Sequence, residues 1–99
     1  MIDYRLSIPP EVAEVIRHLA PELKRSVKEA LRNLSRTPTA GEPLRRELEG
    51  LWKYRVRRYR LVYEIESKQR VFWVLAVGPR AEVYERVAAA LGPPSHRRK

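Results

Sequence analysis

Tyr4-Arg-Leu-Ser-Ile8 alternates apolar and polar side chains, with Tyr4, Leu6 and Ile8 on one face, and predicts a short strand. Pro9 and Pro10 end it, and proline suits the first turn of a helix. Val12, Val15, Ile16 and Leu19 then recur at helical spacing, until Ala20-Pro21 breaks the pattern. A second helix is predicted from about Pro21, with Leu23, Val27, Ala30, Leu31 and Leu34 as its apolar stripe. Two short amphipathic helices joined this tightly suggest a helical hairpin.

From Ser35 to Gly50 the regular spacing stops. Ser35, Thr37, Pro38, Thr39, Gly41 and Pro43 read as a loop, with Leu44 and Leu48 as isolated apolar anchors. The period then switches to two. Trp52, Tyr54 and Val56 alternate with Lys53, Arg55 and Arg57, which predicts a strand with one apolar and one cationic face. Arg58-Tyr59 reads as a turn or bulge. In the strand from Arg60 to Ile65, Leu61, Tyr63 and Ile65 oppose Arg60, Val62 and Glu64. Glu66 to Arg70 is a polar turn, and Val71 to Val77 is apolar on both faces, as suits a central strand. Gly78-Pro79 ends the meander. A last helix spans Ala81 to Leu91, with Val83, Tyr84, Val87, Ala88 and Leu91 inward, and Gly92-Pro93-Pro94 stops it.

The expected architecture is α+β: an N-terminal strand, a helical hairpin, a three-stranded antiparallel meander and a C-terminal helix, with the helices packed on a four-stranded sheet. The first strand should pair with Val71 to Val77. The hairpin should cover one sheet face and leave Lys53, Arg55, Arg57 and Arg60 on the other. Residues 1–91 form a single expected domain and residues 92–99 a flexible basic tail.

Charge sharpens this picture. Over its 99 residues the chain has 21 Lys and Arg against 12 Asp and Glu, a net charge of +9. Residues 1–50 hold 9 basic and 8 acidic side chains, and residues 51–99 hold 12 and 4, so nearly all of the excess lies in the second half. An anionic partner gripped by that half is the first expectation. No apolar run approaches the roughly 20 residues that span a bilayer. The first residues, with Asp3 and Arg5, do not read as a signal peptide, so a cytoplasmic protein with no membrane partner is expected. With no cysteine, a thiol nucleophile and a Cys-type zinc site are excluded. His18 and His96 are too few and too far apart to suggest a metal site, and no cofactor is expected.

The conspicuous cluster is cations with tyrosines: Lys53, Arg55, Arg57, Arg60 and Arg80 with Tyr59, Tyr63 and Tyr84. Such a cluster can bind nucleic acid by charge and stacking. It can also cleave RNA, where the neighbouring 2′-hydroxyl is the nucleophile. A lysine crowded by arginines is a possible base. Arginines supply fixed charge for the phosphorane, and a tyrosine can stack on a base. Composition allows both outcomes. Arg60 could equally pair with Glu64 or Glu82, and Tyr84 fits the apolar stripe of the last helix as well as a site.

Residues 44–84 also carry a resemblance. Leu44 with Leu48-Glu-Gly50, Trp52-Lys-Tyr-Arg-Val56, Tyr59-Arg-Leu-Val-Tyr63, Val77-Gly-Pro-Arg80 and Val83-Tyr84 resemble the RelE/ParE superfamily of toxins from type II toxin–antitoxin pairs. The element order is also that of the family. The resemblance implies a RelE-like fold and, on the RelE side, a metal-independent endoribonuclease that cuts mRNA in the A site of the 70S ribosome. ParE-like members instead inhibit DNA gyrase and generally lack the catalytic cluster. A cognate antitoxin, acidic or amphipathic, is the implied protein partner.

By the same resemblance the catalytic cluster falls on Lys53, Arg55, Arg60, Arg80 and Tyr84, all suitable side chains, which favours the RelE side. The second basic position is a lysine in well-matched members and is Arg55 here. Arginine keeps the charge but does not deprotonate, so the base falls to Lys53. Arg55 and Arg60 would stabilise phosphate charge, Arg80 would act on the leaving-group side, and Tyr84 would position or stack the nucleotide. Arg57, Arg58, Arg97, Arg98 and Lys99 are expected contacts to mRNA or rRNA. A gyrase inhibitor and an inactive RNA-binding member of the fold remain the alternatives.

Overall fold

The computed structural model of the chain describes residues 3–91, and for Glu47, Arg80, Ala81 and 88–91 it describes the backbone alone. The expected tail at 92–99, with Arg97, Arg98 and Lys99, lies outside the described residues.

The N-terminal alternation forms β1 (Arg5–Ser7), followed by α1 (Pro10–Arg17) and α2 (Pro21–Arg36). Proline at the first position of each helix removes only an N–H that would be unsatisfied there anyway. α1 buries Val12 and Ile16, and α2 buries Val27, Ala30, Leu31 and Leu34. α2 ends before Pro38, which disfavours helical backbone at Thr37 (φ −140°). The segment read as loop is more ordered than its composition suggests. It holds a 3-10 turn at Pro38–Ala40, the two-residue strand β2 (Glu42–Pro43) and a second 3-10 turn at Arg46–Leu48. β3 (Leu51–Val56), β4 (Tyr59–Glu66), β5 (Val71–Pro79) and α3 (Arg80–Leu91) follow.

The sheet order is β1-β5-β4-β3-β2. β3, β4 and β5 form the antiparallel meander, and β1 runs parallel to β5 with Leu6 opposite Phe72. β2 adds a fifth strand beyond the four expected, antiparallel on the edge of β3.

One sheet face carries Val56, Leu61, Tyr63, Phe72, Val74 and Val77 against the buried stripes of α1 and α2, and this is the main core. The opposite face is not left open as expected. Leu51 and Val62 are apolar on it, and α3 covers them with Val83 and Val87. The pairing steps from Val62–Ala76 to Tyr63–Val74, so Leu75 has no opposite number. This bulge turns Leu75 and Ala76 together toward the α3 side. The cationic strand positions therefore occupy only the part of this face beyond α3. Among the described residues no helix is long and apolar enough to cross a membrane.

Candidate active site

Lys53 and Arg55 lie two apart on β3 and so share a face. β4 returns antiparallel, and its register sets Arg60 directly opposite Arg55. Like charges facing each other across strands are unfavourable. Neither arginine has an ion-pair partner among the described residues. Arg55 Nε donates to the Arg57 carbonyl and Arg60 Nη1 to the Tyr59 carbonyl, both at 3.3 Å. The pairings of Arg60 with Glu64 or Glu82 that the sequence allows are not made. Two cations held side by side without an acid leave their charge free for an anion from outside.

β2 brings a residue that sequence reasoning missed. Its register sets Glu42 opposite Lys53, and Glu42 Oε1 lies 3.5 Å from Lys53 Nζ. A cavity of about 390 Å³ is lined by Ala40, Gly41, Glu42, Lys53, Tyr54, Arg55 and Arg60. Lysine and arginine side chains are donors only, whereas an ionised carboxylate is an acceptor only. Glu42 thus adds a proton acceptor to a pocket otherwise rich in positive donors. The available signal was weak: Glu42 is the sole acidic residue between Ser35 and Leu44, in a Gly-Glu-Pro step.

The loop carrying Glu42 rests on the main core. Tyr63, fully buried on β4, donates from its hydroxyl to the Pro38 carbonyl at 2.5 Å. Burial pushes its pKa up from 10.0 to about 12, against a lowering by a backbone hydrogen bond from Gly41 and with a small upward push from Tyr54.

The other expected site residues are not among the described lining of this pocket. Pairing of Tyr59 with Pro79 and of Arg60 with Gly78 brings the start of α3, and hence the backbone of Arg80, to the end of β4 that carries Arg60. The Arg80 side chain lies outside the described residues. Tyr84 is half-buried and packs on the Leu51, Val62, Val83 and Val87 cluster. It does not line the cavity that holds Lys53, Arg55 and Arg60. Arg57 does not continue the cationic face. β3 ends at Val56, and Arg57 takes the first turn position with φ 56°. Its Nε donates to Ser26 Oγ at 3.1 Å, which ties it to α2. Arg58 is exposed in the same turn.

A family model described as the ParE toxin of the type II toxin–antitoxin system parDE matches residues 10–84. Toxin RelG of Mycobacterium tuberculosis is 40% identical over 73 residues, covering 72% of this chain and 84% of that protein. In a solved toxin–antitoxin complex, RelBE2 of Mycobacterium tuberculosis, a chain aligns with TM-score 0.72 and 33% identity, over 80% of this chain and 100% of its own length. A mutant of Escherichia coli toxin RelE in the free state aligns with TM-score 0.74 and 25% identity, over 91% of this chain and 99% of its own. With its strand register, its α3-capped sheet and these likenesses in agreement, the chain belongs to the RelE/ParE family of toxins of type II toxin–antitoxin systems.

Proposed function

We propose that this toxin is a metal-independent endoribonuclease that cuts mRNA in the ribosomal A site. The observation that carries the reading is the unpaired Arg55–Arg60 couple beside the Lys53–Glu42 pair in one cavity. A phosphodiester seated there meets two fixed positive charges where negative charge builds up, and these charges do the work a metal would otherwise do. The 2′-hydroxyl gives its proton to the Lys53–Glu42 pair, with Glu42 as the acceptor that Lys53 orients. The 2′-oxygen bonds to phosphorus as the bond to the 5′-oxygen breaks, and the departing 5′-oxygen takes its proton from solvent water. The products are a 2′,3′-cyclic phosphate, which water hydrolyses to a 3′-phosphate, and a 5′-hydroxyl. Arg80 serves the leaving-group side, and Tyr84 positions the nucleotide. The ribosome orients the substrate, and a cognate antitoxin of acidic or amphipathic character silences the toxin by covering its cationic face.

The test is cleavage of mRNA on programmed 70S ribosomes, with free RNA as control. Cuts at codon boundaries on ribosomes and none in free RNA are expected. Lys53→Ala and Arg80→Ala each abolish cleavage while the protein stays folded. Both variants cutting at the full rate would overturn the assignment. The match to a ParE family model favours a second reading, a DNA gyrase inhibitor. That reading predicts DNA damage in expressing cells with translated mRNA left intact.

A further inference from the structure

We propose that Tyr63 is a positioning residue of this site, whose hydroxyl holds residues 38–41 so that Glu42 meets Lys53. Its catalytic consequence rests on the nuclease reading, and its structural consequence does not.

Glu42 cannot place itself. Its side chain is 74% exposed and its strand is two residues long. Backbone anchors on either side must therefore hold it. On the C-terminal side the Leu44 N–H donates to the Leu51 carbonyl at 2.8 Å, and Leu44 packs on the second core. On the N-terminal side the anchor is Tyr63. Its ring is fixed in the main core, stacked on Trp52 at 6.4 Å and edge-on to Phe72 at 5.9 Å. Its hydroxyl reaches out of that core to the Pro38 carbonyl and lies against the Gly41 backbone.

Gly41 completes the device. A Cβ there would collide with the Lys53 carbonyl and with the Tyr63 hydroxyl. The backbone at Gly41 is thus pressed between the residue that Glu42 pairs with and the residue that holds the turn. A ring needed only for packing would be served by phenylalanine. A hydroxyl in an apolar core costs desolvation unless it is bonded. Both groups that meet this hydroxyl belong to the segment leading into Glu42.

Tyr63→Phe keeps the ring and removes the oxygen. Amide hydrogen exchange should accelerate about tenfold or more at Ala40 and Leu44. The amides of Val62 and Val74 in the central strands should keep their protection. On programmed ribosomes the single-turnover rate should fall about tenfold with the half-saturating toxin concentration unchanged. In a Glu42→Gln background the same change should cost nothing further. Gly41→Ala, which displaces the segment from its other side, should reproduce both signatures.

Unchanged exchange at Ala40 and Leu44 in both variants overturns the proposal. So does an equal fold-loss of rate with and without Glu42→Gln, because a purely structural defect acts alike in both backgrounds. A wild-type toxin inert on ribosomes, with exchange still accelerated by Tyr63→Phe, overturns the nuclease reading and supports the anchoring role.

Discussion

Arg55 and Arg60 face each other across β3 and β4 with no acid between them, an arrangement that folding alone does not favour. Removing one charge should therefore help the fold and, on the nuclease reading, harm the proposed chemistry. Arg60→Gln should raise unfolding free energy by about 0.5 kcal/mol at low ionic strength, a gain that fades in salt. Ribosome-dependent cleavage should fall about a hundredfold. Denaturant titrations at two salt concentrations beside single-turnover cleavage check both halves. Tyr63 gives a second residue-scale test. Its pKa is raised from 10.0 to about 12, so the folded state keeps the phenol proton where the unfolded chain has lost it. The stabilisation from this group is complete below pH 10 and is lost as pH rises through about 12. Alkaline unfolding curves of wild type and Tyr63→Phe should run with different slopes above pH 10, the wild type falling more steeply.

At the scale of elements, burial sorts the consequences of truncation. Leu34 is fully buried in the main core, and Leu34→Ala should cost about 2–5 kcal/mol. Leu6 is 41% exposed on the edge strand, and Leu6→Ala should change stability by less than about 1 kcal/mol. The two crowded glycines divide in the same way. A Cβ at Gly41 meets backbone, whereas one at Gly78 meets the far end of the Arg86 side chain, which can swing aside. Thermal melts should rank Gly41→Ala well below Gly78→Ala. The long elements were legible in the sequence because their periods are imposed by burial: the stripe from Leu23 to Leu34 follows one face of α2, and the alternations from Trp52 to Val56 and from Leu61 to Ile65 follow one face of β3 and β4. β2 was not, because two residues carry no period and are held by the partner strand alone. Glu42 was missed as a site residue for that reason. Arg57 was misplaced because its alternation with Arg55 outlasts the strand by one residue, and no periodicity reports a turn at φ 56°. The cover on the second face was foreshadowed by Leu51 and Val62, apolar where the alternation predicts polar residues.

Among the described residues the positive charge is not confined to one surface. The near-balance of the first half in sequence is not a balance in space, because α2 holds Lys24, Arg25, Lys28, Arg32 and Arg36 against Glu22 and Glu29. If the proposed ribosomal action holds, affinity for the ribosome should therefore fall steeply with salt, through counterion release from many contacts at once. On the proposed nuclease reading, removing Arg55 or Arg60 from the pocket should reduce the slope of log affinity against log salt by about one. Filter binding over a salt series reads that slope directly.

The parallel pairing of Arg5 with Val71 has a temporal meaning as well as a spatial one. A chain leaving the ribosome exposes β1 well before β5, and its partner strand emerges more than sixty residues later. The helical hairpin can form early from local contacts, but its apolar faces have no sheet to rest on until β4 and β5 arrive. Such sequence-distant pairing makes folding slow relative to a helical bundle of the same size. The sheet is thus complete only once β5 has emerged. A nascent fragment ending before β5 has neither the strand that receives β1 nor the Gly78 position that faces Arg60.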